Sequence, residues 1–212
     1  MAAPGMSYVP PQSNPVDACG PVIVVDPRFA APYPVDLTIT QKFMTMGDDF
    51  VVTDINQTVM MKAKGKVLTL RDRRILYDHD GNPVVTMHAK VLSAHRRWFA
   101  YRGASNDSKD LLFELKKSSM FQLRTQLDVF LAGNTKQDNC DFKIKGSYSE
   151  RSCTITLGDS EAIVAQMHRK AKLGNIILGK DTYGVTVYPN VDYAFIVALI
   201  IILDEVNEDR AD

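Results

Sequence analysis

Apolar residues in this 212-residue chain follow two patterns. Over most of its length they alternate with polar residues at period two, the signature of strands with one buried face. Leu37–Phe43 shows the alternation clearly and Thr58–Lys64 shows it in part. Near the C-terminus the alternation gives way to one unbroken apolar run, Tyr193–Leu203, whose only polar side-chain group is the Tyr193 hydroxyl. As a helix this run extends about 16 Å, roughly half of what a bilayer core requires. Being apolar all round, it has no face to turn to water. A segment too short to span a membrane and too apolar to expose must be wrapped by protein. The rest of the chain offers strands to wrap it.

Turn residues punctuate those strands. Asp54–Gln57 and Gly65-Lys66 separate the early ones. Leu76-Tyr77, Asp78–Pro83 and Val84–His88 read as strand, tight turn and strand, with Asp80-Gly81 at the tip. Trp98–Tyr101, Leu111–Leu115 and Phe142–Lys145 continue the series, Ser152–Leu157 and Ile163–His168 form a hairpin about Gly158-Asp159, and Tyr183–Tyr188 is the last strand. Gln122–Leu131 suits helix or strand, and strand is favoured. This spacing of turns predicts a meandering antiparallel barrel or sandwich. Pro189-Asn190 then ends the last strand, and Asn190 or Asp192 is placed to cap a helix over about residues 191–206. The acidic Asp204, Glu205, Glu208 and Asp209 mark its expected exit into water.

Eight of the ten prolines lie in residues 1–34. With few charges and few large apolar residues before Val22, residues 1–21 read as a flexible Pro-rich segment. Val22–Val25 is expected at a sheet edge or across the body. Residues 22–206 read as one domain and 207–212 as an acidic tail. Lysine plus arginine and aspartate plus glutamate both number 25, so the formal net charge is zero and no general nucleic-acid signal is present. The three cysteines, Cys19, Cys140 and Cys153, are odd in number and none forms a C-x-x-C, which argues against disulfides and structural zinc and for a reducing interior. The N-terminus has no basic-then-apolar leader, and Ala2 stands where myristoylation needs a glycine. These features together predict an intracellular chain that is not transmembrane.

Two blocks resemble a known family: the hairpin Leu76–Met87 with its Asp-x-x-Gly-x-Pro at 78–83, and Asp181–Asp192 leading into the apolar helix. With the strands Asp36–Phe43 and Phe50–Asp54 before them, they make the chain similar to the plant LURP-one-related family over about residues 22–206. That family is similar in fold to the Tubby C-terminal domain and to the phospholipid scramblases. The resemblance implies a mainly β fold: a Tubby-like closed antiparallel barrel of about twelve strands enclosing the C-terminal helix. Tubby domains bind phosphoinositides and tether transcriptional regulators to membranes. Scramblases are proposed to bind calcium just before the terminal helix. Asp181 and Asp192 are retained here, but Val185, Val187, Asn190 and Val191 thin the acidic pattern, and the scramblases' cysteine-rich palmitoylation cluster is absent. No cofactor and no metal site is expected.

Local chemistry adds basic clusters. Asp78–Asn82 begins like a calcium loop, yet Pro83 and Ala89 stand where an EF-hand needs Gly and Glu, so a hairpin turn is the favoured reading. The four histidines have no metal spacing, and no nucleophile elbow, P-loop or dinucleotide fingerprint is present. Lys62, Lys64 and Lys66 would share an outward strand face, and Arg71, Arg73 and Arg74 form a second cluster. His95–Trp98 and His168–Lys172 are two more, with Trp98 more simply a core or rim aromatic than a lipid-interface one. Such clusters ordinarily form a solvated barrel exterior. Their functional reading is contact with anionic lipid through several converging cations. The expectation is a non-enzymatic, membrane-tethered or phosphoinositide-linked signalling or transcription-linked module, in plant defence as the family name suggests. It would be cytoplasmic and peripheral at the plasma membrane, or nuclear. The alternative is a protein-interaction scaffold without lipid binding.

Overall fold

A computed structural model describes residues 20–42, 49–65, 73–90, 97–118, 125–147, 152–168, 172–173, 176–177 and 182–208. Period-two patterning becomes twelve barrel strands. The first six are β1 (Val35–Lys42), β2 (Asp49–Thr53), β3 (Val59–Gly65), β4 (Arg73–Asp78), β5 (Pro83–Lys90) and β6 (Arg97–Arg102). β7 (Leu111–Lys117), β8 (Thr125–Leu131), β9 (Phe142–Ser147), β10 (Ser152–Leu157) and β11 (Ile163–His168) continue the meander. A separate hairpin, β12 (Lys172–Leu173) with β13 (Ile176–Ile177), precedes β14 (Thr182–Val187). Each strand from β1 to β11 pairs with the next, and β14 inserts between β11 and β1 to close the barrel. All of these pairings are antiparallel. The ambiguous segment before Leu131 is strand β8 from Thr125 onward.

Closure removes the barrel's free edges and encloses a lumen that must be filled. Helix α1 (Tyr193–Glu208) fills it. Every residue from Ala194 through Asp204 has zero solvent exposure. Phe195 packs against Phe113 and Phe142 with ring centroids 5.2 and 4.9 Å apart. The wall contributes alternate residues, for example Met61 and Ala63 of β3 facing in and Lys62 and Lys64 facing out. Trp98 is among the buried residues, 1% exposed. No described helix is long and apolar enough to cross a membrane.

The helix begins two residues later than the pattern suggests because Asp192 is its cap. It also stays buried for longer. Asp204 lies fully inside, accepting a hydrogen bond from the Tyr183 hydroxyl at 3.2 Å, and Glu205 pairs with Arg74. These partners keep the first acidic residues within the protein, so the exit into water comes after them. Of the two readings for Val22–Val25 the course across the body holds: residues 22–34 form a strap across the barrel end at the helix N-terminus. Val22 pairs with Val191 and Ala30 with Asp192, and Phe29 meets Tyr193 edge-on at 5.3 Å.

Candidate functional site

Among the candidate lipid-contact residues, Lys62 and Lys64 sit two positions apart on β3 and are both exposed. They lie about 7 Å apart along the strand. Lys62 stands between Val51 of β2 and Tyr77 of β4, and Lys64 stands opposite Ile75. Lys66 and Arg71 lie outside the described residues. The remaining pair divides, as successive residues of a strand must. Arg73 is half-buried on the outer face and donates to the Ala104 carbonyl at 3.0 Å. Arg74 turns inward, 8% exposed, where it pairs with Glu205 of the helix and lies 5.4 Å from the Phe50 ring. Arg74 therefore joins wall to helix and is withdrawn from the surface cluster.

Other basic clusters divide too. Arg97 pairs with Glu114 at 2.8 Å, while His95 and Arg96 lie outside the described residues. His168 ends β11 and Lys172 begins β12.

The acidic residues near the helix serve the backbone. Asp192 Oδ2 accepts from the backbone N–H groups of Val24, Val25 and Asp26 at 3.3, 2.7 and 3.1 Å. Its Oδ1 accepts from Ala194 and Phe195 at 3.0 and 3.1 Å. One side chain thus caps the helix and anchors the strap. Burial pushes its carboxyl above the usual range, although the amides of Val25, Phe195, Asp26 and Val24 favour the charged form. Asp78 builds the predicted hairpin turn: Oδ1 accepts from the Asp80 and Asn82 amides at 3.1 and 2.8 Å, and Oδ2 from Arg28 at 3.1 Å. Burial opposes its charge, but the Asn82 donors and Arg28 prevail and hold its carboxyl below the ordinary value. Asp181 lies outside the described residues. Among the described residues, no three His, Cys, Asp or Glu side chains gather as a metal site. Cys140 and Cys153 are free thiols.

Sequence reasoning missed a cavity of about 560 Å³ between the strap and the β2–β3 turn, lined by residues including Arg28, Tyr33, Asp36, Asp54, Ile55 and Tyr193. Tyr33 and Ile55 are 64% and 62% exposed at its mouth. Its charged groups already have internal partners: Arg28 holds Asp78, Asp36 accepts from Thr186 at 2.6 Å, and Asp54 accepts from the Asn56 and Thr58 amides, each at 2.8 Å. What remains at the mouth is mainly apolar. No local pattern announces this cavity, because it exists only where the strap crosses the barrel end.

The LURP-one-related family model matches residues 35–204, which is β1 to the buried part of α1. The chain is 51% identical over 216 residues to the Arabidopsis thaliana protein LURP-one-related 15, with 100% of both chains covered. It is 48% identical to LURP-one-related 10 of the same plant, covering 89% of this chain and 98% of that one, and 41% identical to protein LURP1, covering 89% and 91%. An X-ray structure of an Arabidopsis thaliana protein superposes with a TM-score of 0.68 at 47% identity, covering 87% of this chain and 98% of the other. The family model spanning the barrel from β1 into α1, with a relative half identical over the full length, makes this chain a member of the LURP-one-related family.

Proposed function

We propose that this protein is a non-enzymatic, intracellular module of Tubby-like type, akin to the phospholipid scramblases, that docks peripherally on anionic lipid. Phosphoinositides are among its targets, and it tethers a signalling or transcription-linked activity at the plasma membrane, or is nuclear, in plant defence. The observation that carries this reading is the pair Lys62 and Lys64, both exposed on the outer face of β3. Two neighbouring cations turned to solvent on one strand face suit phosphate-bearing headgroups. Lys66, two residues on in sequence, and Arg71 and Arg73 extend the basic character of the segment. An acyl-chain passage through the protein is disfavoured, because the helix that would enter the bilayer is the barrel's own core.

The test is co-sedimentation with vesicles of phosphatidylcholine alone or mixed with phosphatidylserine or phosphatidylinositol phosphates, at low and physiological salt, with and without calcium. Saturable, salt-sensitive binding to the anionic vesicles is expected. Lys62→Ala and Lys64→Ala should each weaken it about fivefold, since the anionic leaflet rewards each surface cation by about 1 kcal/mol. Absence of binding under every condition would overturn the reading. The second reading, a protein-interaction scaffold without lipid binding, draws support from Tyr33 and Ile55 at the cavity mouth, which suit an apolar group from a protein partner.

A further inference from the structure

Among the described residues, three large apolar side chains are exposed: Ile23, Tyr33 and Ile55. Ile23 and Tyr33 belong to the strap, and Ile55 belongs to the β2–β3 turn across the cavity from it. All three therefore stand at the same end of the barrel, and exposed apolar surface gathered in one place marks a docking face. The cavity, about 560 Å³, is large enough for a small molecule or a few side chains. Its charges distinguish between occupants. Among the described residues, three charged side chains line it: Arg28, Asp36 and Asp54. Arg28 is matched by Asp78 at 3.1 Å. Asp36 and Asp54 accept only from neutral donors, the Thr186 hydroxyl and the Asn56 and Thr58 amides, and each does so through Oδ1. The Oδ2 of each has no donor, and neither carboxylate has a cationic partner, among the described residues. Lys62, two residues along β3 from the lining residue Met60, pairs with neither. Residues 1–19, which lead into the strap, hold no lysine or arginine. Two uncompensated negative charges thus lie beside apolar surface and beside the rings of Tyr33 and Tyr193, whose faces attract cations.

We infer that this cavity docks a segment of a partner protein in which a lysine or arginine stands next to an apolar or aromatic side chain. The basic group answers Asp36 and Asp54, and its apolar neighbour covers Tyr33 and Ile55. A free amine would satisfy the carboxylates and leave the apolar mouth wet. Ile23 lies on the strap outside the cavity lining, so the occupant that covers it is larger than the cavity. A phosphate-bearing headgroup is repelled by the two carboxylates, which separates this end from the outer face of β3. The inference stands independently of lipid docking through Lys62 and Lys64, and it gives the protein-partner reading its chemistry.

The test uses the full chain to select from a randomised library of short peptides displayed on phage. The recovered peptides should be enriched in a lysine or arginine beside an aliphatic or aromatic residue. The tightest of them, made synthetically, is then titrated by fluorescence anisotropy against wild type, Asp36→Asn, Asp54→Asn, Tyr33→Ala, Ile55→Ala and Lys62→Ala. Asp36, Tyr33 and Ile55 are exposed, and Asp54→Asn keeps an acceptor oxygen for the turn, so each variant should unfold at the wild-type temperature. Each carboxylate variant should lose about fivefold in affinity and each apolar variant about tenfold. Lys62→Ala should not weaken peptide binding. With the peptide's basic residue replaced by glutamine, Asp36→Asn and Asp54→Asn should cost nothing further, the coupling that a direct ion pair requires. Recovery of no peptide, recovery of peptides without a basic residue, or equal binding by both carboxylate variants overturns the inference and leaves lipid docking standing. Spermidine that displaces the peptide at equal or lower concentration assigns the cavity to a small amine and overturns it too. Loss of phosphatidylserine-vesicle binding by Tyr33→Ala would assign this end to the membrane, with the same result. If wild type binds peptide and no vesicle, lipid docking falls and this site stands.

Discussion

A single carboxylate, Asp192, decides how the barrel end is closed. Five backbone N–H groups converge on it, three from a strap as far as 168 residues away in sequence and two from the first turn of the helix. Asp192→Ala would strip the helix cap and leave buried strap amides without an acceptor, a loss of about 3 kcal/mol or more. Urea unfolding should show a lower midpoint with little change in slope. Asp192→Asn, which keeps one acceptor oxygen, should cost less. Cys153 offers a second test at this scale. Burial pushes its thiol from 9.0 up to about 12. Its folded value lies above its unfolded one, so its contribution to stability is complete below pH 9.0 and disappears as pH rises toward about 12. At neutral pH a thiol reagent should leave Cys153 unmodified in the native protein and label it readily in urea, as peptide mapping would show. Gly146 shows a backbone constraint of the same locality: at φ 151° a Cβ there would collide with the Ser152 carbonyl oxygen on the paired strand.

At the scale of elements, the helix and the wall are mutually dependent. The helix is surrounded by inward-facing residues from the strands, and the lumen it occupies would otherwise be empty. Ile200 is fully buried at the helix centre, so truncating it removes apolar contact on every side. Ile200→Ala should therefore cost about 2–5 kcal/mol, a drop in Tm of about 10 °C, measurable by thermal unfolding. Both ends of the helix are tied polar to polar, by Asp192 to the strap and by Arg74–Glu205 and Tyr183–Asp204 to the wall. Acidic residues at a helix C-terminus oppose its dipole. Here the Arg74 guanidinium and the Tyr183 hydroxyl compensate Glu205 and Asp204.

For the whole molecule, closure around the helix decides which strand ends and turns share a rim. Each strand reverses direction, so successive turns alternate between the two rims, and their compositions differ. The turns at the helix N-terminus use Asp for local amide contacts, as Asp54 and Asp78 do. Strand ends at the other rim carry both signs: Lys42 of β1 stands opposite Asp49 of β2. Vesicle binding through Lys62 and Lys64 should weaken steeply as salt is raised, because both cations are exposed to the screening ions.

Much of this architecture is legible in the chain itself. Period-two alternation, the Asp80-Gly81 tip and the Tyr193–Leu203 run are local signals, and local signals determine strand, turn and a helix that must be enclosed. The outward face of Lys62 and Lys64 follows from the same periodicity. Which neighbours those faces meet does not. Arg74 reads like its neighbour Arg73, and only Glu205, 131 residues away, supplies the partner that its inward face requires. Asp192 reads as a helix cap, and only the strap's return reveals its second task. The cavity at Tyr33 and Ile55 has no sequence signature. It arises where the strap crosses the closed barrel's end, and that is a property of pairings between residues far apart in the chain.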